Sequence, residues 1–128
     1  AVVLAMVLSL AVGVSANSTS VTSPYYGTIS GTSYQNSTSP ATFYTSSRMS
    51  KNPDSARFVI DVDYNDGENY LTALSQRSSC GITSFTYTFP IYFTFDAIPN
   101  MAYVSHCVQD GTKYASKATY TSAPLTIN

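Results

Sequence analysis

The sequence predicts an all-β protein, a small antiparallel β-sandwich of about seven strands preceded by a short apolar N-terminal segment. Three observations carry that expectation. Past Ala16 no stretch holds a 3.6-residue apolar period for three turns, whereas apolar residues recur at every second position. Gly, Pro, Asn and Asp fall between those runs, where tight turns need them. The length past Ala16 is about that of one sandwich domain, and neither a repeat nor a linker divides residues 17–128.

Ala1 to Ala16 (AVVLAMVLSLAVGVSA) carries no charge and stops at Asn17-Ser18-Thr19-Ser20. As a helix it would span about 24 Å, short of the roughly 30 Å hydrocarbon core of a bilayer. Its end, Val14-Ser15-Ala16, has the slim residues a signal peptidase requires. The segment therefore reads as a secretory signal cleaved after Ala16, truncated at its start because no methionine or basic n-region precedes it. A packing helix of a pilin-like filament and a buried structural helix are the competing readings.

The strands follow in order. Gly27 to Tyr34 and Ala41 to Ser47 are weak candidates flanking Gln35 to Pro40. Ser55 to Tyr64 is the clearest, with Phe58, Ile60, Val62 and Tyr64 on one face and Arg57, Val59, Asp61 and Asp63 on the other. Asn65-Asp66-Gly67-Glu68 supplies a hairpin turn to a return strand, Tyr70 to Arg77. Ile82 to Phe95 is the most β-prone run, placing Phe85, Tyr87, Phe89, Ile91, Phe93 and Phe95 on one core-facing side. Pro90 inside it cannot donate to a ladder and marks an edge, a bulge or a crossover between sheets. Met101 to Gln109 and Lys113 to Ser122 complete the set, separated by Asp110-Gly111.

Composition bounds the function. Lys and Arg number 6, Asp and Glu 7, with 20 Ser and 16 Thr, so hydroxyls rather than ions wet the surface. A net charge of −1 with no basic run points away from nucleic acid, whose phosphates need clustered cations. Cys80 and Cys107, an even pair in a chain read as exported, are expected to form a disulfide. Geometry qualifies this, since a straight hairpin would leave the two roughly 30 Å apart. The bond thus requires a bend at Pro90.

Few residues suggest chemistry. His106 is the only histidine and shares its strand face with Ala102, Val104 and Val108, which suits a structural role; Cys107 beside it points the other way. No GxSxG elbow accompanies it. Asp61-Val62-Asp63-Tyr64-Asn65-Asp66-Gly67 resembles the start of a calcium loop, but its glycine falls one place late and Thr72 stands where a bidentate Glu belongs. Asp61, Asp63, Asp66 and Glu68 remain weak candidates for an irregular calcium site, and no metal or cofactor is expected. Asn17-Ser18-Thr19 and Asn36-Ser37-Thr38 fit the N-glycosylation pattern. Tyr25, Tyr26, Tyr34, Tyr44, Tyr114 and Tyr120 join apolar bodies to polar tips, as contact faces require or as half-buried strand packing does.

The resulting expectation is a small secreted, extracellular, non-catalytic sandwich that acts by surface contact with a protein or cell-surface partner and spans no membrane once the signal is cleaved. A self-assembling filament or surface-layer subunit, with possible self-association through an edge strand, is one alternative. A bacteriocin-like antagonistic protein is another, and an enzyme working through His106 a third.

Overall fold

The structure is a computed structural model that describes residues 17–51, 54–111 and 114–127. It is all-β, with β1 (Asn17–Ser23), β2 (Gly27–Thr38), β3 (Ala41–Met49), β4 (Arg57–Asn65), β5 (Tyr70–Arg77), β6 (Ser84–Pro90), β7 (Met101–Asp110) and β8 (Tyr114–Pro124). These form two four-stranded antiparallel sheets, ordered β1-β2-β3-β6 and β5-β4-β7-β8. The chain crosses between the sheets three times, after β3, after β5 and after β6. The segment Ala1 to Ala16, expected to be a signal, lies outside the described residues.

There are eight strands where about seven were expected, and the added one is β1. Its inner-facing residues include Thr19, whose hydroxyl meets Thr119 at 2.6 Å across the sandwich. The inner side of β1 carries Asn17, Thr19 and Ser23 beside a single apolar residue, Val21, so hydropathy alternation does not mark the strand. The β4–β5 turn forms as the Asp-Gly pair predicts. Gly67 takes a φ of 100°, and the Asp66 carboxylate accepts the Asn69 and Glu68 amides at 2.7 and 2.9 Å.

The aromatic run Ile82 to Phe95 does not stay one strand. Pro90 is the last residue of edge strand β6, opposite Thr42 of β3, and from there the chain leaves for the other sheet. The crossover is held by the Ile91 amide on the Ala41 carbonyl at 3.0 Å and by the Tyr64 hydroxyl donating to the Pro90 carbonyl at 2.8 Å. Phe89 and Ile91 are buried, but Phe93 and Phe95 are not core residues, and Phe95 is 94% exposed. Once the backbone is off the ladder, alternation no longer aims side chains at a sheet interior.

Inside, two apolar clusters occupy opposite ends of the sandwich. Tyr26, Ile29, Met49, Ala56, Phe58 and Val108 fill one. Phe43, Ile60, Val62, Tyr64, Phe89 and Val104 are the centre of the other. A belt of buried polar groups crosses the interior between them, formed by Ser33, Thr45, Ser47, His106, Thr119 and Thr121. Ser33, Ser47, His106 and Thr121 bond one another, Thr45 donates to the Tyr87 carbonyl and Thr119 bonds Thr19, so each has the partner that keeps it out of water at low cost.

Candidate functional site

Because β4, β7 and β8 bury alternate residues, their remaining side chains share the outer face of the second sheet. Register then sets two adjacent rows, Asp63–Tyr103–Ser122 and Asp61–Ser105–Tyr120. Tyr103 and Tyr120 are diagonal neighbours, 47% and 66% exposed. With Asp61, Asp63, Asn17 and Thr19 they line a shallow groove of about 520 Å³ at the seam where β1 meets β8. Thr19 fixes that seam, donating to the Tyr120 carbonyl at 2.9 Å and so accepting from Thr119, since its hydroxyl has one proton to give. Neither carboxylate accepts a hydrogen bond or forms an ion pair among the described residues, which leaves both open to a partner.

Two tyrosine rings offer flat apolar area with polar tips, while two serine hydroxyls and two carboxylates offer hydrogen-bonding groups between them. Tyr103 was not singled out in the sequence, though the burial of Ala102, Val104, His106 and Val108 by alternation implies its outward direction. Of the tyrosines that were, only Tyr120 lies here. Tyr25 stacks on Tyr114 at 4.2 Å, Tyr26 is buried, and Tyr34 and Tyr44 pair at 4.8 Å on the first sheet.

His106 stands in the polar belt. Its Nδ1 is 2.8 Å from Ser47 Oγ, its Nε2 is 2.8 Å from Thr121 Oγ1, and Thr121 is 2.6 Å from Ser33 Oγ. The ring lies over Gly31, where a Cβ would sit only 2.3 Å from its Cγ and Cδ2. Burial lowers its pKa from 6.5 to about 4, so the imidazole is neutral at physiological pH. The Ser47–His106 spacing is that of a nucleophile and base, yet both residues have no exposed surface. In this arrangement the pair joins the two sheets, closed off from solvent.

The remaining candidates disperse. The expected disulfide is absent, because Cys80 and Cys107 are free thiols. The chain does bend at Pro90, but Cys107 projects from the outer face of a central strand, whereas Cys80 lies exposed in the loop that leaves the sheet after its edge strand β5. Burial, then the charge of Asp61, raises the Cys107 pKa and makes it a poor thiolate. Asp61 and Asp63 sit on the β4 face while Asp66 and Glu68 occupy the turn. No group of three or more His, Cys, Asp or Glu able to hold a metal forms among the described residues. The Asp66 carboxyl is spent on the turn amides of Asn69 and Glu68, which hold it below its ordinary pKa. Asn17 begins β1, and Asn36 is exposed at a bulge where its amide oxygen accepts from Thr42 at 2.7 Å. Comparisons with protein-family models, with curated proteins and with solved structures return no match.

Proposed function

We propose that this protein is a non-catalytic contact module, secreted through its N-terminal segment, that binds a protein or cell-surface partner with the outer face of β4, β7 and β8. The single observation that carries the reading is the diagonal pair Tyr103 and Tyr120, half-exposed on a rigid sheet beside two unpaired carboxylates. Exposed tyrosines held by a scaffold contact a partner at little entropic cost, and interfaces are enriched in them. Support for secretion comes from the uncharged run ending Val14-Ser15-Ala16.

The test is retention of labelled protein on printed arrays of glycans and of peptides, with the Tyr103→Ala/Tyr120→Ala variant beside the wild type. At least one probe is expected to hold the wild type and to lose the variant by about tenfold or more, the loss typical of a central tyrosine. Thermal unfolding of the variant should stay close to that of the wild type, since both rings face outward. Equal retention of the two proteins, or turnover of a generic glycoside or ester by the purified chain, overturns the reading. The intact mass of the exported protein reads cleavage after Ala16.

A further inference from the structure

Charge is unevenly divided between the two ends of the sandwich. The end that gathers the β1–β2 turn, the β3–β4 and β5–β6 loops and the start of β8 carries Arg48, Lys51, Arg57, Arg77 and Lys117 against Asp54 and the buried Asp110. The opposite end, built from the β4–β5 turn, the 91–100 crossover and residues 125–127, carries Asp66, Glu68 and Asp96 with no cation among the described residues. That acidic end also gathers most of the large hydrophobic side chains exposed among the described residues. Tyr70, Tyr92, Phe93, Phe95 and Ile98 are all exposed there, and Phe93, Phe95, Ile98 and Ile127 line a depression of about 330 Å³. The basic end offers an aromatic surface of its own in the stacked pair Tyr25 and Tyr114.

We propose that copies of this chain associate head to tail, the acidic aromatic end of one seated on the basic, tyrosine-bearing end of the next. Charge selects this arrangement, because like ends repel and unlike ends attract and orient each other before contact. Apolar contact by Phe93, Phe95 and Ile98 then supplies the short-range energy. The two surfaces differ, so the contact is heterologous and each added copy presents a fresh end, giving an open chain and not a closed pair. Four strands about 4.8 Å apart and two layers about 10 Å apart make each end roughly 20 Å across, so the contact buries on the order of 800 Å² in total. That lies below the span of stable complexes and makes the association weak and concentration-dependent. Neither end includes Tyr103, Tyr120, Asp61 or Asp63, so the proposal is independent of the contact face.

Sedimentation velocity at rising protein concentration and low ionic strength tests it, with two variants at exposed positions. Phe95→Lys disables the acidic end, by removing the ring and setting a cation against the basic end, and Arg48→Glu/Arg77→Glu disables the basic end. The wild type is expected to sediment faster without limit as concentration rises. Each variant alone should need at least about tenfold more protein to associate, and an equimolar mixture should stop at a one-to-one dimer, because each variant keeps one working end. Circular dichroism should show the wild-type fold in both. A wild type that stays monomeric throughout, one that stops at a dimer, variants that assemble like the wild type, or a mixture that stays monomeric each overturns the proposal.

Discussion

The apolar cluster around Phe43 and Phe89 and the polar belt around His106 face each other across one interior, yet they hold the sheets together by different means. In the cluster, bulky rings meet edge to face, as Phe43 and Tyr64 do at 6.4 Å, and the interaction is largely area removed from water. In the belt, small side chains let the sheets approach until the His106 ring rests on the backbone of Gly31. There, directional bonds from Ser47 and Thr121 offset the desolvation of the imidazole. The cluster tolerates reshuffled apolar volume, whereas the belt tolerates neither an added atom nor a changed proton count.

The largest expected effect breaks the apolar side. Phe43→Ala removes a fully buried ring and should lower the unfolding free energy by about 3–5 kcal/mol, read as a fall in the denaturant midpoint. Next comes the proton count of the belt. Between pH 6.5 and about 4 the unfolded chain binds a proton at His106 that the folded chain refuses. Stability is therefore fully present above pH 6.5 and declines as pH falls, by about 3 kcal/mol near pH 4. His106→Gln, which cannot titrate in this range, should remove that part of the pH dependence, so denaturation curves of the two proteins should converge or cross toward low pH. Parallel curves would remove the buried neutral histidine as the cause.

The smallest effect sharpens the contrast in packing. Gly31→Ala should cost about 1–3 kcal/mol by overpacking the ring. Combined with His106→Ala it should cost less than the sum of the two single changes, by about 0.5–3 kcal/mol in a double-mutant cycle. Additive costs would mean that Gly31 matters for its backbone and not for the approach of His106.

Much of the architecture was legible because strand burial writes itself as alternation. Phe58, Ile60, Val62 and Tyr64 are all fully buried, as their spacing predicts, and the same rule places His106 inward and Cys107 outward. Pro90 marks the crossover because a residue without an N–H is tolerated on an edge strand, which β6 is, and the Ile91 amide still reaches the Ala41 carbonyl before the chain leaves. β1 was not legible, since its partner across the sandwich is a threonine. Phe93 and Phe95 were misleading, because period two has a meaning only while the backbone stays in a ladder. Of the candidate site, Asp61, Asp63 and Tyr120 were visible singly, but their meeting with Tyr103 depends on the register of β4, β7 and β8, which links residues about 60 positions apart.

By itself, then, the sequence determined the class of fold, the inward face of its central strands, the Asp-Gly hairpin and the near absence of charge, because each depends on neighbours within a few residues along the chain. Only the tertiary structure decided which sheet each strand joins, that the two cysteines stay apart, that hydroxyls surround the histidine, and that cations and acids with aromatics collect at opposite ends. Those outcomes follow from register and from the three crossings between sheets, which long-range pairing sets and local pattern does not record.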